Sequence, residues 1–200
     1  MRIALGLVSI LALSAPVLAE NAPVGITPDI MSVTVETDSG PVEIARIQDN
    51  AHELSGEWAR TSRPCPNFCL QPMIPAPGVT PIGELEMLQF LQDPSVVVID
   101  GRVRADFEAG AIPGAISVPY TEAADRLGEL GCEPDFDGFD CSVEGVKSAA
   151  LYCNGPWCGQ SPTAARRMIE AGFPAEKIYY YRGGMQAWRM LGLTVTDTTN

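Results

Sequence analysis

From residue 81 onward, apolar runs typical of buried strands alternate with stretches that have helical spacing. Residues 96–99 (Val-Val-Val-Ile) form a continuous β-branched run, which is typical of a strand buried on both faces of a parallel sheet. Strands are predicted over residues 96–99, 115–118, 149–153 and 178–181, and helices over residues 82–91, 105–109, 121–130, 161–171 and 185–191. Strands that alternate with helices predict an α/β fold, a parallel β-sheet with helices on both faces.

The residues before this unit predict an exported protein with an N-terminal extension. Arg2, the apolar residues 3–13 and Val17-Leu18-Ala19 have the order of a cleaved secretory signal over residues 1–19. Residues 32–37 and 42–47 alternate with period two around a turn at 38–40, which predicts a β-hairpin. The domain division expected from these patterns is a signal over 1–19, an extension over 20–80 and the α/β domain over 81–196.

Between the hairpin and the α/β domain lies a segment rich in proline and cysteine, which we call the strap (residues 61–81). It contains Cys65, Cys69 and six prolines, a composition that predicts an extended, ordered chain. A strap of this length must lie against something, and one hypothesis is that it crosses the loop that follows Cys153 and exchanges disulfides with it. Copper binding by Cys65, Cys69 and Met73 is a weaker alternative, because the chain has one histidine.

Net charge and cysteine content narrow the class of function. The formal charge of −12 disfavours nucleic acid and anionic membranes as partners, and no segment after the signal is long and apolar enough for membrane insertion. Six cysteines in an exported chain predict disulfides, for which the sequence allows fifteen full pairings. Among these we prefer the three local pairs Cys65/Cys69, Cys132/Cys141 and Cys153/Cys158. An acidic insertion over residues 131–145 is expected to be stapled by the second of these pairs.

The chemistry is expected at Cys153, which ends a predicted strand and precedes a helix. A loop over 153–160 (Cys-Asn-Gly-Pro-Trp-Cys-Gly-Gln) joins the two, and we call it the thiol loop. Backbone N–H groups at a helix start favour anions, so a cysteine placed there tends to be a thiolate, the form that attacks sulfur. The predicted site consists of Cys153 and Cys158 as catalytic thiols, with a substrate-binding loop formed by Asn154, Gly155, Pro156, Trp157, Gly159, Gln160 and Ser161.

Four motifs in the right order over about residues 80–196 resemble the rhodanese family. Val98-Ile99-Asp100-Gly101-Arg102 resembles its Asp-x-Arg strand end, residues 110–115 its Gly-His-Ile-Pro-Gly-Ala segment, and Tyr152-Cys153 the strand that delivers its active cysteine. Tyr181-Arg182-Gly183-Gly184 with Trp188 resembles the Gly-Gly-x-x-x-Trp close of that domain.

The resemblance implies a sulfurtransferase in which Cys153 takes a sulfane sulfur and holds it as a persulfide. Its partners would be a small sulfur-containing substrate or a protein thiol, with no cofactor and no metal. Asp100 and Arg102 are expected to order the loop below the site by an ion pair. The location expected from the signal-like residues 1–19 is periplasmic.

The sequence departs from the family pattern at two places, and both bear on whether the implied reaction applies to this chain. Ala111 stands where the family usually has histidine, a position that mostly serves structure. The thiol loop is two residues longer than usual, carries Cys158 and has no internal cation; Arg166, Arg167 and Arg182 lie just outside it.

Two other functions stay open at this point. Cys153 and Cys158 would serve a thiol–disulfide redox protein, and the large extension would serve a non-catalytic binding module that docks a protein partner.

Overall fold

A five-stranded parallel sheet forms the centre of the molecule. The computed structural model describes residues 22–196, so the predicted signal at 1–19 lies outside the described residues. The sheet has the strand order β3-β9-β8-β4-β5. Its strands are β3 (Thr80–Pro81), β4 (Val96–Asp100), β5 (Ile116–Ser117), β8 (Ser148–Tyr152) and β9 (Ile178–Tyr181).

Helices cover both faces of this sheet, as the sequence predicts. They are α1 (Glu84–Phe90), α2 (Arg104–Glu108), α3 (Gln160–Glu170) and α4 (Gly184–Met190). Neighbouring residues of β4 and β8 point to opposite faces: Ile99 and Leu151 pack in a core with α3, whereas Val98 and Ala150 pack in a core with α1 and α4. Among the described residues, no helix combines the length and hydropathy needed to cross a bilayer.

The N-terminal hairpin is part of the second of these cores. Strands β1 (Ser32–Thr37) and β2 (Gly40–Ala45) pair antiparallel, with Thr37 opposite Gly40. The second strand begins two residues before the predicted one, because Asp38 and Ser39 alone make the turn. Ile44 is fully buried, and Arg46 leaves the hairpin to form a bridge with Leu193.

The helix predicted over residues 121–130 is wrong. The chain there makes successive turns in which Glu122 N donates to Pro119 O and Asp125 N to Glu122 O. One short 3₁₀ helix follows at Leu127–Leu130 and ends at Gly131, whose φ is +87°. The apolar positions Ala123, Leu127 and Leu130 are buried, but turns with three-residue spacing bury them as well as an α-helix would.

Two of the three favoured cysteine pairs are disulfides. The acidic insertion forms a small hairpin of β6 (Glu133–Asp135) and β7 (Gly138–Asp140), closed by the Cys132–Cys141 disulfide at an S–S distance of 2.07 Å. Cys65 and Cys69 are also bonded. Cys153 and Cys158 are free thiols in this structure, so the preference for a third local pair is not met.

Candidate active site at the thiol loop

The thiol loop lies at the carboxyl edge of the sheet. The parallel register pairs Asp100 with Tyr152 and Tyr152 with Tyr181, so β4, β8 and β9 end side by side. Cys153 directly follows β8 and is only 1% exposed. Helix α3 begins at Gln160, one residue before the predicted start, with Gly159 as its N-cap.

Two glycines let helix α4 approach the backbone of the thiol loop. Met185 N donates to Cys153 O and Gln186 N to Asn154 O, both at 2.9 Å. Gly184 has φ of +52°, and a Cβ there would lie 2.2 Å from Cys153 O. Gly184 is therefore needed because no side chain fits between the start of α4 and the carbonyl of Cys153. Gly183 is confined for another reason, since a Cβ there would lie 2.8 Å from that of Ala187 and 2.9 Å from Tyr181 Cε2.

A buried ion pair supports the loop from below. Arg102 donates to both carboxylate oxygens of Asp100, with the shortest contact at 2.6 Å from Nη2, and also to Gly110 O at 2.7 Å. Its Nη1 reaches Asn154 Oδ1 at 3.2 Å, and Asn154 Nδ2 in turn donates to Asp106 Oδ2 at 3.0 Å. A planar guanidinium is suited to this because its donors hold the carboxylate and still reach the loop.

Hydrogen-bond donors converge on the Cys153 sulfur. Burial works to raise the pKa of this thiol, but the Cys158 thiol, the Ser161 hydroxyl and the backbone N–H groups of Ser161 and Gly155 lower it, and the net effect is a pKa below the usual value. Ser161 Oγ is buried without a close hydrogen-bond partner among the described residues, so a charge on the sulfur would give it one. In its protonated form, Cys153 Sγ donates to Cys158 O at 3.2 Å.

Cys158 is the complementary member of the pair. It is 4% exposed, and its hydrogen bond to Cys153, together with burial and the nearby charge, raises its pKa far above that of an ordinary thiol. Its Sγ also contacts Gln160 Oε1 at 3.5 Å. The two thiols therefore titrate as a coupled pair, and the opposite directions of their pKa shifts favour loss of the first proton from Cys153.

The strap lies against the thiol loop, which agrees with the first part of one sequence hypothesis; the disulfide exchange in that hypothesis stays a prediction. Gln71 N donates to Pro156 O at 2.8 Å, and the Phe68 ring lies 4.9 Å from that of Trp157. Arg63 places its guanidinium 4.6 Å from the centre of the Trp157 ring. No motif marked Arg63, Phe68 or Gln71, and only the requirement that the strap must pack against something pointed to this region.

The three arginines considered as site cations make their hydrogen bonds away from the two thiols. Arg182 Nε donates to Gln71 O at 2.8 Å and holds the strap, while Arg166 and Arg167 bond to Thr163 and Thr121 respectively. Tyr180 is a further site residue that the sequence only hinted at through the alternation of residues 179–181. Its buried hydroxyl has no hydrogen-bond partner among the described residues, and burial together with the negative charge of the neighbouring thiol pair raises its pKa.

A metal centre is not indicated in the described part of the chain. No group of histidine, cysteine, aspartate or glutamate side chains between residues 22 and 196 has the arrangement of a metal site. The Cys65–Cys69 disulfide also leaves no free thiolate in the strap for the copper alternative.

Comparison with known proteins finds one curated relative and several solved structures that are similar to part of this chain. The protein is 33% identical over 116 residues to the HTH-type transcriptional regulator Rv0324 of Mycobacterium tuberculosis; the match covers 58% of this chain and 44% of the regulator, less than half its length. A rhodanese-like domain from an Anabaena protein is 25% identical, with a TM-score of 0.38 over 50% of this chain and 98% of its own. A rhodanese-related protein from Thermoplasma volcanium is 21% identical, with a TM-score of 0.43 over 59% and 98%.

The family of the protein is shown by the sequence of its α/β unit. The profile of the rhodanese-like domain matches residues 85–191, more than half of the chain. These are the residues that form the sheet from β4 to β9 and all but the first residue of its covering helices. The protein therefore belongs to the rhodanese-like domain family.

Proposed function

We propose that the protein is a periplasmic sulfurtransferase that carries sulfane sulfur as a Cys153 persulfide. The observation that supports this most directly is the set of donors around Cys153, which lower the pKa of its thiol in a buried site. A thiolate that is stabilised by fixed N–H and O–H groups is a ready nucleophile, and the same groups would stabilise the anionic persulfide.

The proposed reaction has two displacement steps. The Cys153 thiolate attacks the outer sulfur of thiosulfate or another sulfane donor, the donor S–S bond breaks, and sulfite or a thiolate leaves with the electron pair. A thiolate acceptor then attacks the outer sulfur of the persulfide, and the Cys153 thiolate is released. Asn154 to Ser161 would bind the anion, and the Asp100–Arg102 pair would keep the loop in place.

The location is also a proposal. It is supported by the signal-like residues 1–19 and by two disulfides, which persist in oxidising compartments such as the periplasm.

Intact mass measurement tests the proposed reaction. The protein is reduced, freed of reductant and incubated with thiosulfate or with a persulfide donor, beside Cys153→Ser and Cys158→Ser variants. We expect the wild type and Cys158→Ser to gain one sulfur atom and Cys153→Ser to gain none. If no donor adds sulfur, or if Cys153→Ser still gains it, the proposal is wrong.

A second candidate function, thiol–disulfide exchange, is favoured by the contact between the two free thiols. In this reaction the Cys158 thiol loses its proton and the pair is oxidised to a disulfide while a partner disulfide is reduced to two thiols. Mild oxidation of the reduced protein would then remove two hydrogens, and Cys158→Ser would abolish that loss. Were the wild type to keep both thiols under these conditions, this candidate would be excluded.

A further inference from the structure

Gln71 fixes the strap to the thiol loop from both sides. Its N–H donates to Pro156 O at 2.8 Å, and its carbonyl accepts from Arg182 Nε at 2.8 Å. Its side-chain Nε2 lies 3.6 Å from where a Cβ of Gly159 would stand, so the amide covers the end of the loop next to Cys158.

An aromatic and cationic cluster makes the second attachment. Phe68 and Trp157 pack with ring centres 4.9 Å apart, and the Arg63 guanidinium lies 5.0 Å from the centre of Phe68 and 4.6 Å from that of Trp157. The Arg63 side chain is only 7% exposed although it carries a charge. Aromatic and cation–π contacts each contribute modestly to the free energy of folding. The strap is therefore held by a set of weak attachments rather than by a hydrophobic core of its own.

The Cys65–Cys69 disulfide lies within this set of attachments. It closes a ring that contains Phe68 and sits between Arg63 and Gln71, and Cys65 is exposed to solvent. The disulfide restricts the backbone that presents Phe68 to Trp157, so the ring and the aromatic contact support each other.

We infer that residues 63–71 form a lid over the thiol loop and that the Cys65–Cys69 disulfide is the clip that keeps this lid closed. A dithiol reductant opens the clip: its two thiols become a disulfide, the Cys65–Cys69 bond breaks, and each sulfur takes a proton. The freed strap then releases Phe68 from Trp157, and larger donors or acceptors reach Cys153. The inference rests on the proposed function, because the lid limits how easily reagents reach the Cys153 thiol. The rate at which a reagent reaches this thiol is measured without any sulfur donor, so the lid and the sulfur transfer are tested separately.

The test is the rate at which iodoacetamide alkylates Cys153, followed by peptide mass mapping without reductant. All proteins carry Cys158→Ser, so that no disulfide forms at the site. We expect the clip variant Cys65→Ser/Cys69→Ser to react about tenfold faster than its parent, because local opening governs the reaction of a buried thiol. Phe68→Ala, which keeps the disulfide, is expected to react faster as well.

Two controls separate a lid from a general loss of stability. Leu70→Ala removes an 80% exposed side chain of the same segment, and Cys132→Ser/Cys141→Ser removes the disulfide of the distant insertion. Both should leave the alkylation rate unchanged. The inference is overturned if neither the clip variant nor Phe68→Ala reacts faster than the parent, or if Leu70→Ala accelerates the reaction as much as Phe68→Ala.

If sulfur loading fails while the clip variant still accelerates alkylation, the proposed function is wrong and the lid stands. If sulfur loads equally well with the clip open and closed and the alkylation rates are equal, the function stands and the lid is wrong.

Discussion

The Ser161 hydroxyl is one of the groups, after the Cys158 thiol, that lower the pKa of Cys153. Ser161 is buried at the start of α3, and its side chain and N–H both lower the pKa of the Cys153 thiol. Ser161→Ala removes one of these donors, so we expect the alkylation rate at neutral pH to fall about tenfold and the midpoint of the pH–rate profile to move up, in the direction of an ordinary thiol. Thr163→Ala, on the same helix but bonded to Arg166, should leave the profile where it is; an unchanged profile in Ser161→Ala would contradict the assignment.

The same pKa has a consequence for stability. Because the pKa of Cys153 is lower in the folded chain than in the unfolded one, its thiolate contributes stability above the unfolded pKa of about 8.5, and that contribution is lost as the pH falls through the folded pKa. Ser161→Ala should reduce the contribution.

Gly184 shows the steric cost of the close approach between α4 and the loop. Both Gly184 and Gly172 have positive φ, but a Cβ at Gly172 meets nothing within 4 Å, whereas one at Gly184 meets Cys153 O at 2.2 Å. Gly172→Ala is therefore expected to cost about 1 kcal/mol of unfolding free energy, and Gly184→Ala about 3 kcal/mol or more. Urea unfolding compares them, and equal costs would mean that the backbone clash is relieved.

At the scale of elements, the end of β4 and the thiol loop are joined through one buried side chain. Arg102→Lys keeps the charge but loses the fork that binds Asp100, Gly110 and Asn154 together, and we expect it to lower the unfolding free energy by about 3 kcal/mol. The matched change Arg104→Lys affects an exposed pair with Glu108 at 3.8 Å and should cost about 0.5 kcal/mol or less. Thermal and urea unfolding measure both, and similar losses would argue against the central role of Arg102.

The strap and helix α3 differ in how far sequence could predict them. Ser161-Pro162 is a pair typical of a helix start, and it placed α3 to within one residue because this signal lies within a single element. The strap has no repeat, and its contacts with Pro156 and Trp157 join positions about 85 residues apart. Local patterns do not encode which distant segment an extended chain will cover.

At the scale of the whole molecule, the hairpin and the α/β unit share one core. Ile44 is fully buried in the cluster that includes Trp188 and Leu193, and Thr194 N donates to Ala45 O at 3.1 Å. Ile44→Ala should lower the stability of the whole chain by about 3 kcal/mol while unfolding remains a single transition. Ile30→Ala, at a 42% exposed position, should cost far less; two separate transitions in Ile44→Ala would show that the hairpin folds independently.

The sequence by itself determined the α/β class, four of the five strands of the central sheet and the placement of Cys153 at a strand end. Buried strands and amphipathic helices leave local patterns because burial and backbone geometry act on neighbouring residues. The motifs shared with the family likewise identified Asp100, Arg102 and the Gly183-Gly184 pair from the sequence.

Only the tertiary structure decided what surrounds the Cys153 sulfur. The donors from Cys158 and Ser161, the Arg102–Asn154 contact, the position of Tyr180 and the cover provided by Phe68 and Gln71 all depend on segments that meet in space. It also decided that residues 121–126 make turns, since the same apolar positions satisfy either arrangement. Contacts between distant segments depend on how the folded chain packs, and the residue spacing within one segment does not determine that packing.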